Sequence, residues 1–162
     1  MIAWPWSART SLVGVTRDRA EALAEIHAAA FAHTWSVEDF AALLAERSVF
    51  AVAVRRHSIF AGRRLAGFVL VRVVADEAEI LTIAVRPAHR GRGYGRMLMD
   101  EVLKRLYRAG VAACFLEVDR GNLPAVTLYR SLGYVVAGER RNYYRAGSPG
   151  DGTALVMRVQ LR

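Results

Sequence analysis

The segment Arg90-Gly91-Arg92-Gly93-Tyr94-Gly95 has the composition of an anion-binding turn. It follows the strand-like run Leu81-Thr82-Ile83-Ala84-Val85, after the spacer Arg86-Pro87-Ala88-His89, and leads straight into a stretch with helical periodicity. A glycine-rich turn entering a helix presents backbone N–H groups that have no partner inside the helix. The helix dipole adds partial positive charge at the same place. Gly93 and Gly95 carry no side chains, so a pyrophosphate can approach the backbone closely. Arg86, His89, Arg90, Arg92 and Arg96 make the surroundings basic. The same residues also read as an exposed basic loop whose glycines only turn the chain. A nucleotide P-loop is excluded, because no Lys-Ser or Lys-Thr ends the turn. A dinucleotide fold is excluded too, since the turn does not follow the first strand in a Gly-x-Gly-x-x-Gly arrangement.

Three further residues could do chemistry. Glu117 ends the apolar run Ala112-Ala113-Cys114-Phe115-Leu116. A carboxylate there is either paired at the solvated end of a strand or held where burial changes its proton affinity. Tyr129 shares helical spacing with Ala125, Leu128 and Leu132 and reads as a core aromatic with its hydroxyl at the rim. Asn122 stands where a helix N-cap belongs. Cys114, the one cysteine, sits in an apolar run and reads as a buried, inert thiol. The four histidines, His27, His33, His57 and His89, lack ligand spacing and an acidic or thiol cluster, so no metal site is expected.

The elements that must carry these groups follow from periodicity. Arg17 to about Ala32 reads as an amphipathic helix through Leu23, Ile26, His27, Ala30 and Phe31. Ser36-Val37-Glu38-Asp39 is a capping-box pattern opening a second helix to about Arg47, with Phe40, Leu43 and Leu44 buried. Ser48–Arg55, Leu65–Val74 and Glu77–Val85 read as strands closely spaced enough to pair antiparallel, with Gly62 and Ala75-Asp76 at their turns. Gly95–Ala109 is a helix with the stripe Leu98, Val102 and Leu106, closed by Gly110. Ala112–Val118 is a buried strand. Pro124–Leu132 is a short helix closed by Gly133, and Tyr134–Tyr144 and Thr153–Leu161 are final strands. Residues 1–14 are either a flexible arm or a first strand. The predicted fold class is α/β: a mixed, mostly antiparallel central sheet with one parallel pair, flanked by about four helices, in a single domain over residues 1–162.

With 54% hydrophobic and 23% charged residues, the chain of 162 residues is expected to be globular rather than disordered. No apolar run reaches the ~18 residues that cross a bilayer, so no membrane partner is expected. Met1-Ile2-Ala3-Trp4-Pro5-Trp6 lacks a basic n-region and is broken by Pro5, so no secretory signal is expected and the location is read as cytoplasmic. A net charge of +8 suits an anionic ligand, an acidic partner or nucleic acid without choosing among them. No zinc-finger or RNP-type signature accompanies it, and nucleic acid is not required by any motif.

Arg90-Gly91-Arg92-Gly93-Tyr94-Gly95 resembles the R/Q-x-x-G-x-G/A motif of the GNAT acetyltransferase superfamily, at the same junction of strand and helix. The element order over residues 17–161 resembles that of the family as well. Leu116-Glu117-Val118 with Asn122, Leu128-Tyr129-Arg130-Ser131-Leu132-Gly133-Tyr134, Trp35-Ser36 and Arg140-Arg141-Asn142-Tyr143-Tyr144 look like the RimI-type branch, which acetylates the N-terminal alanine of a small-subunit ribosomal protein. The branch pattern differs at His33-Thr34, usually Phe-Pro or His-Pro, and at Thr153, where an acidic residue is usual and Asp151 is displaced.

The resemblance implies acetyl-coenzyme A as acetyl donor and a protein or peptide N-terminus, most specifically that of a ribosomal protein, as acceptor. Acetyl transfer would be by direct attack in a ternary complex. It implies that Arg90, Gly91, Arg92, Gly93, Tyr94 and Gly95 bind the coenzyme pyrophosphate, that Ile83 and Val85 pair with the pantetheine arm, and that Asn122 contacts that arm. Glu117 would be the general base, Tyr129 the general acid, and Trp35 and Tyr143 would lie near the peptide. A small amine or lysine side chain as acceptor, a non-catalytic acyl-coenzyme A sensor, and ribosome or RNA contact through the basic surface stay open on the residues alone.

Overall fold

In the computed structural model, which describes residues 9–58, 62–142 and 150–162, each predicted element forms, with one strand added at the front. Strand β1 (Arg9–Val15) pairs antiparallel with β2 (Val49–Ser58) from Arg9↔His57 to Val15↔Ala51. Residues 9–14 thus belong to a first strand. A 3-10 turn at Arg17–Arg19 leads into helix α1 (Ala20–Ala30), and α2 (Val37–Ala45) follows. Then come β3 (Gly62–Val74), β4 (Glu77–Val85), a 3-10 turn at Pro87–His89, and α3 (Tyr94–Arg108). Strand β5 (Ala113–Asp119), α4 (Leu123–Ser131), β6 (Val135–Arg140) and β7 (Ala154–Gln160) complete the described chain.

The seven strands hydrogen-bond in the order β1-β2-β3-β4-β5-β7-β6. One pair is parallel: β4 and β5 meet through Glu77↔Ala113, Ala78↔Cys114 and Glu79↔Phe115. A parallel pair needs a crossover, and α3 supplies it. Strands β5 and β7 pair antiparallel from Ala113↔Gln160 to Asp119↔Ala154.

The chain packs as two compact units. One comprises residues up to Leu70 together with Ile83–Leu98. Its core includes Leu23 and Ile26 of α1, Phe40 of α2, Val52 and Val54 of β2, and Phe68 of β3, all fully buried. The Ser36 capping box forms in full: the Ser36 N–H donates to Asp39 Oδ2 at 2.8 Å, and the Asp39 N–H donates to Ser36 Oγ at 3.1 Å. Phe31, placed on the buried stripe by periodicity, instead stands past the end of α1 in extended backbone and is exposed.

The other unit comprises Val71–Thr82 and Met99–Arg162. Its core gathers Met99, Val102 and Leu106 of α3, Cys114 and Leu116 of β5, Tyr134, and Met157 of β7. The Ala75-Asp76 turn joins β3 to β4, and the Asp76 carbonyl accepts the Ala112 N–H at 2.7 Å, which holds the entrance of β5 against that hairpin. Strand β6 ends at Arg140, short of the predicted Tyr144; residues 143–149 lie outside the described residues.

Residues 65–67 of β3 grip the end of β4. The Ala66 carbonyl accepts the Arg86 N–H at 2.8 Å, and the Leu65 carbonyl accepts Arg86 Nε–H at 2.9 Å. A Cβ on Gly67 would stand 2.7 Å from the Ala84 carbonyl oxygen and 3.0 Å from Val85 Cγ2. Because the first of these neighbours is backbone, relief requires β4 to move. Gly67→Ala should therefore destabilise the protein by roughly 1–3 kcal/mol, read as a lowered urea midpoint at unchanged slope. An unchanged midpoint would show that β4 is free to shift.

Candidate active site

The glycine turn is built by its backbone. Arg86 leaves β4 in extended conformation, Pro87 starts the 3-10 turn, and Arg90 is extended again before the helix. Gly91 and Gly93 have φ of 75° and 80°, a region that L side chains rarely enter, and a Cβ on either would touch nothing within 4 Å. The need for glycine is thus conformational and the surroundings are open. It falls on Gly91 and Gly93, whereas Gly95 lies in the first turn of α3. Tyr94 is buried and pins the helix start, and the Met97 N–H donates to the Gly93 carbonyl at 3.0 Å as the first helical bond. The amides of the first turn of α3 are consequently the ones a helix leaves for an anion.

The basic residues around this turn differ in what they hold. Besides gripping β3, Arg86 Nη1 donates to Glu25 Oε1 at 3.0 Å, so its charge is partly matched and its role is structural. His89 receives Arg56 Nη1, which lies 3.0 Å from Nδ1 and 3.3 Å from Nε2. Desolvation holds the His89 pKa below 6.5, assisted by the charges of Arg56, Arg92 and Arg86. Arg56 belongs to this cluster although it comes from β2, and no sequence spacing links it to the turn. Arg90 and Arg92 are exposed.

Trp35 is half-buried just before α2, in the same unit. Its ring stacks on His27 with centroids 5.1 Å apart and approaches Phe40 at 5.5 Å, and Phe40 meets Phe68 edge-on. The Trp35 N–H donates to His27 Nδ1 at 3.4 Å. Burial lowers the His27 pKa, so His27 serves this loop as a neutral acceptor. Tyr143, read as its companion near a peptide, lies outside the described residues.

In the second unit, Glu117 lies on β5 with Cys114, Leu116 and Val118 buried around it. Its own side chain is half-buried and paired: Arg140 Nη1 stands 3.0 Å from Oε1 and 3.2 Å from Oε2. Strand β5 hands over to α4 through a tight turn, in which Asp119 Oδ1 accepts the Gly121 N–H at 2.8 Å and the Asp119 carbonyl accepts the Asn122 N–H at 2.9 Å. Asn122 caps α4, its Oδ1 accepting the Ala125 N–H at 3.3 Å, and is otherwise exposed. Tyr129 is buried on α4, and its carbonyl accepts the Tyr134 N–H at 3.0 Å where the helix closes. Its ring lies 5.9 Å from that of Tyr134.

Residues 20–134 match the Acetyltransferase (GNAT) family. The chain belongs to the GNAT family. It is accordingly an acetyl-coenzyme A-dependent N-acetyltransferase. The [ribosomal protein bS18]-alanine N-acetyltransferase of Salmonella typhimurium strain LT2 is 36% identical over 137 residues, covering 85% of this chain and 88% of that protein. The N-alpha-acetyltransferase RimI of Mycobacterium tuberculosis strain H37Rv is 38% identical, covering 81% of this chain and 82% of that protein. The crystal structure of the ribosomal-protein-S18-alanine N-acetyltransferase from Escherichia coli superposes with a TM-score of 0.84 at 30% identity over 94% of both chains. The mixed sheet with one parallel pair is the GNAT fold that the sequence predicted.

Within this GNAT chain, Cys114 is buried and burial pushes its thiol pKa to about 11, too high for a thiolate nucleophile at neutral pH. Burial likewise raises the pKa of Tyr134, whose hydroxyl is enclosed beside Cys114 without a hydrogen bond of good geometry. In the sequence, Tyr134 stood out only as a mark of the branch. The displaced acid Asp151 orders the start of β7, where its Oδ1 accepts the Thr153 N–H at 2.9 Å and its Oδ2 faces Arg120 Nη1 at 3.7 Å. No helix among the described residues is long and apolar enough to cross a membrane.

His27 and His89 both bind a proton less readily in the fold than the ordinary value of 6.5. As pH falls below 6.5 the unfolded chain takes up protons first, so the unfolding free energy should decline from there downward. Urea titrations across pH 5–7 should show this decline, and His89→Gln should make it shallower. Identical slopes would mean that His89 titrates normally in the fold.

Proposed function

We propose that this GNAT enzyme is a protein N-terminal acetyltransferase, moving an acetyl group from acetyl-coenzyme A to the α-amine of an alanine-initiated ribosomal protein. The observation that carries this reading is the sustained identity, over more than four-fifths of both chains, to relatives named for bS18-alanine N-acetylation, with a relative named as an N-alpha-acetyltransferase beside them. Arg140-Arg141-Asn142-Tyr143-Tyr144 and Trp35-Ser36 add to it at the segments where the branch receives its peptide. Such a substrate puts the enzyme in the cytoplasm.

In this reading the turn from Arg90 to Gly95 holds the coenzyme pyrophosphate on the first amides of α3, with Arg90 and Arg92 supplying charge. The backbone of β4 at Ile83 and Val85 pairs with the pantetheine arm. Asn122, whose Oδ1 is occupied by its own helix, meets that arm with its amide N–H groups. Trp35 and Tyr143 flank the peptide. Glu117 removes a proton from the acceptor ammonium, directly or through water, and the free amine attacks the thioester carbonyl. A backbone N–H of β4 steadies the oxyanion. When the intermediate collapses, the C–S bond breaks, Tyr129 protonates the departing thiolate, and the proton shed by the new amide nitrogen restores the Tyr129 hydroxyl.

An α-amine suits this machinery. Its pKa is near ~7.7–8.0 against ~10.4 for lysine, so at neutral pH it needs about one unit of help where lysine needs about three, roughly 4 kcal/mol. A single carboxylate is adequate for the α-amine.

Purified protein, acetyl-coenzyme A and short peptides differing only in the first residue test the acceptor by product mass and thiol release. Acetylation confined to free alanine-type N-termini is expected, and turnover only of N-terminally blocked lysine peptides would overturn the substrate. Tyr129→Phe should lower kcat by about 100-fold with little change in acetyl-coenzyme A affinity. Glu117→Gln should lower the rate by an amount that shrinks at high pH, where free amine is already abundant. A pH-independent loss would assign Glu117 a structural part instead.

A further inference from the structure

Strand β6 reaches Glu117 only because its ladder is irregular. Val135 and Val136 pair with Arg158 and Met157 of β7, but the next paired residue is Gly138, opposite Val156, so Ala137 is an extra residue. Side chains alternate along a strand, and one inserted residue exchanges the two faces beyond it. With the bulge, Arg140 pairs with Ala154, on the face that Val156 shares with its other partner, Glu117. Without it, Glu139 would take that place and join Glu117 and Asp119, leaving three carboxylates on one face. Glu139 instead points to the opposite face, where its Oε2 meets Arg120 Nη2 at 2.6 Å. Ala154 and Gly138 keep the face low, so the Arg140 side chain can cross β7.

The contact itself is directional. One guanidinium nitrogen bridges both oxygens of Glu117, at 3.0 and 3.2 Å. A carboxylate offers about four lone-pair sites, so this contact leaves one on each oxygen for an amine or a water. An ion pair with Arg140 more than half exposed is screened by solvent and adds too little to folding to explain the pair by stability. Holding a flexible carboxylate in one orientation is a larger effect on a rate, since a misplaced reacting group can cost about 100-fold.

We propose that Arg140, reaching across β7, is a positioning residue for proton removal that holds the Glu117 carboxylate in the orientation that receives the acceptor amine's proton. This rests on Glu117 being the general base. The bulge at Ala137 belongs to the same device, because it decides which of Glu139 and Arg140 faces Glu117.

The test is a double-mutant cycle on the full chain, with steady-state kinetics on acetyl-coenzyme A and an alanine-initiated peptide. Arg140→Gln should lower kcat by about tenfold while the KM for acetyl-coenzyme A and the melting temperature stay unchanged. Arg140→Lys, which keeps the charge but not the planar fork, should restore part of the loss. In a Glu117→Gln background, Arg140→Gln should cost nothing further. An equal loss in both backgrounds would show that Arg140 acts independently of Glu117 and would sink the proposal while leaving the base assignment standing. So would a rise in peptide KM at unchanged kcat, which would make Arg140 a peptide contact. Normal turnover by Glu117→Gln alone would remove the base assignment and the proposal with it.

Discussion

The short parallel ladder between β4 and β5 is the constraint on which the rest depends. Two parallel neighbours cannot be joined by a tight turn, so α3 must carry the chain back between them. That requirement puts a helix N-terminus with its unpaired amides after β4, reached through a 3-10 turn and the glycine turn. The pairing occupies only the first three residues of each strand. Beyond it β4 runs on to Val85 and β5 to Asp119, and these later residues include Ile83 and Val85 on one strand and Glu117 on the other.

Charge is arranged more economically than the net value suggests. Of the basic residues near the glycine turn, the Arg86 guanidinium is tied to Glu25 and the Leu65 carbonyl, and Arg56 to the ring of His89. Arg90, Arg92 and Arg96 are exposed beside the open turn. In the second unit, Arg120 and Arg140 each take a carboxylate on opposite faces of the β6–β7 ladder. Part of this basicity therefore organises backbone and side chains, and a formal charge of +8 by itself discriminates poorly among partners.

Much of the local structure around the candidate site was legible because its parts are close along the chain. Gly91 and Gly93 mark a backbone conformation set by neighbouring residues, Ser36 and Asp39 form their box within four positions, and Asn122 caps the helix that follows it. The stripe Leu98, Val102 and Leu106 needs only the helical repeat to be read, and all three are buried. Phe31 departed from its stripe because the backbone turns extended at the end of α1, a boundary that periodicity does not locate.

From the sequence by itself came the glycine turn at the mouth of a helix, the order of elements, and the family to which the chain belongs, all carried by residues close together along the chain. Only the tertiary structure decided which charges meet: Arg56 with His89, Glu25 with Arg86, and Arg140 with Glu117. These partners lie 23 to 61 residues apart. Their meeting depends on strand register, and in the last case on a single extra residue at Ala137 that turns Arg140 rather than Glu139 toward Glu117. Register is set by the packing of whole faces rather than by any local pattern, so no spacing in the sequence announces it.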